Sequence, residues 1–92
     1  MEFTKDSNCI YTVDDNGAVI AKITFPNTED GTVLIDHTFV DPALRGQGVA
    51  AQLAGAAYDV IKAAGKKADV ICPYAIKWFD EHPEKRDILI EK

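Results

Sequence analysis

The stretch Leu34–Ala50, LIDHTFVDPALRGQGVA, decides how the rest of the chain is read. Its opening residues alternate with apolar side chains in both sets, which marks a strand. Asp41-Pro42 ends that strand, because proline has no N–H to offer a ladder. Arg45-Gly46-Gln47-Gly48-Val49-Ala50 then leads into a helix. Two glycines and an arginine at a strand-to-helix junction suit an anionic ligand. The first amides of a helix have no intrahelical partner, and the dipole there favours negative charge. Glycine also lets the backbone approach without a Cβ in the way. The plain alternative is that Gly46 and Gly48 only permit a tight turn.

Upstream of this stretch, Cys9, Tyr11 and Val13 alternate with Asn8, Ile10 and Thr12, a strand pattern. Asp14-Asp15-Asn16-Gly17 is a hairpin signal, since Asn and Gly tolerate positive φ. Ala18–Phe25 is the returning strand, with Val19, Ile23 and Phe25 on one face. Thr32–Val40 is expected to be a third, central strand. Val33, Ile35, His37 and Phe39 would share one face; Leu34, Asp36, Thr38 and Val40 would share the other.

Downstream, apolar residues at helical spacing (Val49, Leu53, Ala56, Ala57, Val60, Ile61, Ala64) predict a helix over 47–64. Gly65 is placed to end it. Ala68–Cys72 reads as a short buried strand, and Pro73 opens a second helix to about Glu81. His82-Pro83 stops that helix, and Asp87–Ile90 is a candidate last strand. The expected fold class is therefore α+β. It is a mixed sheet with an antiparallel three-strand meander, a strand–helix–strand crossover and a C-terminal helix.

Ninety-two residues, 47% hydrophobic and 27% charged, are read as one domain spanning 1–92. The net charge of −5 argues against a nucleic-acid binder that works by neutralising phosphates. No apolar run is long enough for a membrane span, and no leader pattern opens the chain. The expectation is a cytoplasmic protein with no nucleic-acid or membrane partner. Cys9 and Cys72 lack metal-ligand spacing, so no metal is expected.

Known glycine motifs separate on detail. A P-loop would require Lys-Ser or Lys-Thr after its second glycine, and none is present. Gly46-x-Gly48-x-x-Ala51 fits a dinucleotide fingerprint, but Asp69 lies at the wrong end of its strand and too little chain follows. Arg45-x-x-Gly48-x-Ala50 matches the (Gln/Arg)-x-x-Gly-x-(Gly/Ala) signature of the GCN5-related N-acetyltransferases. Asp36-His37-Thr38, Cys72-Pro73-Tyr74 and Glu81-His82-Pro83-Glu84 also resemble a small single-domain subfamily of about this length.

That resemblance implies acetyl transfer from acetyl-CoA to an amine-bearing acceptor, a small molecule or a protein lysine. It implies that the loop at Arg45, Gly46, Gln47, Gly48, Val49 and Ala50 holds the pyrophosphate of coenzyme A. It also implies that the backbone of Phe39 and Val40 pairs with the pantetheine arm. His37 and Cys72 correspond to a histidine and a cysteine proposed to act at the subfamily's active site, and Tyr74 to a general acid for the departing thiolate. Each has a structural counterpart reading: His37 as a hydrogen-bonded core residue, Cys72 as a small hydrophobe, Tyr74 as packing or a CoA contact. Larger members carry two helices between their first two strands, which help form the acceptor site; here a tight turn replaces them. A non-catalytic CoA- or acyl-CoA-binding module is the alternative. The expected assembly is a monomer or weak dimer.

Overall fold

The computed structural model describes residues 2–28 and 30–90. Strands β1 (Thr4–Lys5), β2 (Cys9–Val13), β3 (Val19–Thr24) and β5 (His37–Val40) form an antiparallel sheet in the order β1-β2-β3-β5. Strand β4 (Val33–Ile35) pairs in parallel with β6 (Ala68–Val70). Helix α1 (Val49–Ala63) makes the crossover, and α2 (Pro73–Glu81) follows β6. The molecule is thus a mixed α/β fold. Among the described residues no helix is long and apolar enough to cross a membrane.

The hairpin between β2 and β3 turns at Gly17, φ 82°, with Asp14 Oδ1 accepting from the Asn16 and Ala18 amides. One side of the sheet buries Ile10, Ala21, Ile23, Phe25, Val33 and Ile35 against Val49, Leu53, Ala57 and Ile61 of α1. Small residues on that helix face let it lie close to the strands. Val19 is not part of this face. The β2–β3 register shifts between Thr12 and Val13, and Val19 is left 43% exposed.

The predicted Thr32–Val40 strand is two strands with a break at Asp36, and the break changes which residues share a face. Up to that point Val33 bridges Asn27, and the Leu34 amide donates to the Pro26 carbonyl. Beyond it Thr38 faces Ile23 and Val40 faces Ala21. Thr24 meets both residues of the junction: its carbonyl accepts from Asp36 N–H at 3.3 Å, and it is the register partner of His37. Two residues opposite one make a β-bulge, which rotates everything after it by one position. His37 and Phe39 therefore leave the face of Val33 and Ile35 and are exposed, while Thr38 and Val40 take their place. The Thr24 hydroxyl donates to Asp36 Oδ1 across the bulge.

Helix α1 closes with paired turns at its C-terminus. The Gly65 amide donates to Lys62 O and the Lys66 amide to Ile61 O, with Gly65 at φ 69°. This is the geometry in which glycine's tolerance of the left-handed region is needed. The second helix starts at Pro73 and ends at His82, ahead of Pro83, as its sequence signals predict. Trp78 and Phe79 are in the core. The segment 87–90 is not a strand. Pro83–Ile88 is a 3-10 stretch, and an Ala68–Leu89 bridge and an Ile90 N–H bond to Ala68 O reach β6.

Candidate active site

The loop after β5 is built around Asp41, whose carboxylate accepts from the Ala43 amide at 2.9 Å and starts a 3-10 turn over Pro42–Leu44. The Arg45 and Gln47 amides donate back to Pro42 O and Leu44 O, each at 3.3 Å. Gly46 and Gly48 both have positive φ, 84° and 74°. Gly48 is the N-cap of α1 and has no side chain to satisfy the first amides of the helix. Among the described residues, the amides of Gly46, Gly48, Val49 and Ala50 find no backbone acceptor. A Cβ added at Gly46 or Gly48 would meet nothing within 4 Å, so both face open space. That combination of free amides, absent side chains and a helix N-terminus fits a phosphate group.

These residues border a pocket of about 340 Å³ lined by Val40, Leu44, Arg45, Gly46, Gly48, Val49, Ala50 and Tyr74. Six of the residues predicted for cofactor binding are therefore brought together with Tyr74. Gln47 is not among the lining residues; its amide is spent within the turn, and its side chain donates to Ala43 O at 3.3 Å. Phe39 points from the opposite side of the sheet. Leu44 was not singled out from the sequence; an apolar residue inside an otherwise polar loop was the available signal.

The end of β6 opens a gap beside β5. Both the Ile71 and Cys72 amides donate to Ile35 O, at 3.1 and 3.2 Å, and no further ladder follows. Past this point the chain enters α2, leaving the edge of His37–Val40 without β6 beside it. Cys72 is the N-cap of α2 and is 3% exposed. Its thiol donates to the Thr38 hydroxyl at 3.1 Å. Tyr74, one turn into the helix, is 55% exposed. His37 is exposed and on the other side of the strand from Thr38. The β5 side chain that meets Cys72 is thus Thr38, and not His37. No sequence signal marked Thr38, because the bulge that turns it inward is not written in the alternation. Among the described residues no group of His, Cys, Asp or Glu is arranged to hold a metal ion.

The site is thus a strand, an amide-rich glycine loop and an amphipathic helix, beside the gap that opens between β5 and the end of β6. The family model of the GCN5-related N-acetyl-transferases matches residues 9–88, and the chain belongs to this family. Protein NATD1 of Xenopus tropicalis is 42% identical over 52 residues. That match covers 56% of this chain and 48% of NATD1, so it spans about half the length of the curated relative. A GCN5-like candidate N-acetyltransferase from Staphylococcus aureus has a TM-score of 0.75 and 27% identity, over 99% of this chain and 89% of that one. An aminoglycoside N-acetyltransferase solved with CoA shares the fold, with a TM-score of 0.50 and 18% identity over 96% of this chain and 71% of its own. The family's chemistry is transfer of an acetyl group from acetyl-CoA to an amine, and this chain carries its fold.

Proposed function

We propose that the whole chain acts as one acetyl-CoA-dependent N-acetyltransferase domain. The observation that carries this reading is the pocket where Arg45, Gly46, Gly48, Val49 and Ala50 meet Val40 and Tyr74. In it the amides of Gly46, Gly48, Val49 and Ala50 hold the pyrophosphate, and Arg45 adds positive charge. The pantetheine arm runs along the open edge of β5, hydrogen-bonding the backbone at Phe39 and Val40. It thereby occupies the place that a continued β6 would fill. The thioester arrives near Cys72, and coenzyme A supplies the activated acetyl group.

The acceptor amine attacks the thioester carbonyl carbon from the open side of the sheet. His37, exposed on that side, takes the proton the amine loses. Tyr74 supplies a proton to the departing thiolate. Cys72 either lines the thioester pocket or carries the acetyl group transiently. A small-molecule amine and a protein lysine are both acceptable, since the tight turn at Asp14–Gly17 leaves the acceptor side uncovered by the helices of larger members.

Isothermal calorimetry with acetyl-CoA tests the first step: binding in the micromolar-to-millimolar range is expected, and no heat across that range would overturn the proposal. Turnover is then read as free thiol released over a panel of amines and lysine peptides. Binding without turnover on any of them would leave a CoA-binding module and remove the catalytic claim.

A further inference from the structure

The thiol of Cys72 and the hydroxyl of Thr38 stand 3.1 Å apart at the head of the gap between β5 and α2. They meet because of the bulge at Asp36, which turns Thr38 onto the side of Ile23 and moves His37 to the other. Cys72 is 3% exposed, so this contact is shielded from bulk solvent. We propose that Thr38 is the positioning residue for the Cys72 thiol. Its rotatable hydroxyl accepts from the thiol and donates to the thiolate when Cys72 reacts. The proposal rests on the acetyltransferase reading for its role in the reaction, and on the geometry alone for its effect on the thiol.

The two hydrogen bonds differ in strength. S–H is a weak donor, so the thiol gains little from Thr38. A hydroxyl donating to a buried thiolate makes a charge-assisted bond, roughly twice as strong as a neutral one. Removing the hydroxyl therefore penalises the thiolate more than the thiol. Valine keeps the shape of threonine without the hydroxyl; serine keeps the hydroxyl. Where the acetyl group passes to Cys72, Sγ bonds to the carbonyl carbon and the bond to the CoA sulfur breaks. The proton lost by Cys72 ends on the departing CoA thiolate, and Thr38 remains a hydroxyl throughout.

The test uses the full chain carrying Cys9→Ser, so that Cys72 is the one thiol. Its alkylation by iodoacetamide is followed by intact mass at neutral pH. Thr38→Val is expected to slow alkylation about tenfold, a single hydrogen-bond increment, and Thr38→Ser to restore it. The Raman S–H stretch supplies a readout that a packing defect would not reproduce. It sits at the hydrogen-bonded frequency with Thr38 or Ser at this position and moves to the free-thiol frequency in Thr38→Val. A failure of serine to restore the rate would overturn the proposal. If Thr38→Val does not fold, the parental spectrum decides: a free-thiol S–H frequency there sinks it. Acetyl-CoA calorimetry on the same proteins separates the two claims, since absent binding defeats the acetyltransferase reading while the thiol measurements still judge Thr38.

Discussion

Gly48 shows how much a single backbone position carries. It caps α1 at φ 74°, and a side chain there would enter open space rather than a neighbour. The cost of replacing it is therefore conformational, about 1–2 kcal/mol for an L-residue held in the left-handed region. Under the proposed function the effect on binding is larger, because the new side chain would stand at the rim of the pocket that Gly48 lines. Gly48→Val is expected to lower the melting temperature modestly, leave the fold intact by circular dichroism, and abolish the acetyl-CoA heat. If calorimetry shows unchanged affinity, the loop is a turn and nothing more. Leu44 and Val40 set the apolar side of the same pocket, but neither needs an unusual backbone, so their replacement should weaken binding without the conformational cost.

At the scale of elements, the C-terminal 3-10 stretch is tied to α1 by one cluster. The Tyr58 hydroxyl donates to Asp87 Oδ1 at 2.7 Å, and Lys62 Nζ reaches Asp87 Oδ2 at 2.6 Å and Tyr58 Oη at 3.0 Å. Lys85 lies over the Tyr58 ring, 4.7 Å from its centre. The Lys62 ammonium, and then the Tyr58 hydroxyl, hold the Asp87 carboxyl below its ordinary 3.8. Asp87, and then Tyr58, hold the Lys62 ammonium above its ordinary 10.5. Both groups are solvent-exposed, so their attraction is screened and small. The signs are still clear. The Asp87 contribution is present above 3.8 and is lost as pH falls through its lower folded value. The Lys62 contribution is complete below 10.5 and is lost as pH rises through its higher folded value. The clasp should thus hold across the neutral range and loosen at both extremes. Tyr58→Phe is expected to speed amide exchange in Pro83–Ile88 at neutral pH while α1 keeps its protection. Equal loss of protection in both elements would show that the cluster does not act locally.

The two helices meet where the Trp78 ring lies beside Tyr58, ring centres 6.5 Å apart. Trp78 packs edge-on to Phe79 with ring centres 5.0 Å apart, and stacks on His82 at 4.4 Å. A Cβ at Gly55 would lie 3.6 Å from the Trp78 ring, an ordinary contact, so glycine there is not forced by space.

For the molecule as a whole, stability should lie near 5–14 kcal/mol on the usual per-residue scale. Phe79 is 1% exposed in the core that α2 shares with α1. Phe79→Ala is expected to cost about 3–5 kcal/mol, a large share of that total. Denaturant unfolding should show a reduced midpoint at an unchanged slope. A loss under 1 kcal/mol would mean that α2 is not part of the cooperative unit. Saturating acetyl-CoA should partly offset the defect, by about 2.7 kcal/mol at a hundredfold excess over the dissociation constant.

The turn at Asn16-Gly17, the span of α1, its stop at Gly65, and the start and end of α2 were all legible in the chain. These depend on contacts a few residues apart: positive φ at glycine, helical periodicity, and proline's missing N–H. The glycine loop was legible for the same reason, and with it the family. What required the tertiary structure was the pairing of the central strand. Alternation along Val33–Val40 predicts one face for Val33, Ile35, His37 and Phe39. The register with β3 inserts a bulge at Asp36 and reverses that assignment beyond it. A bulge is a property of two strands together, chosen by which pairing buries Phe25 and Ile35 and still satisfies Thr24 and Asp36, so one strand's pattern cannot announce it. The local code therefore determined the glycine loop and its place at the start of α1. The long-range register alone decided that Thr38, and not His37, stands against Cys72.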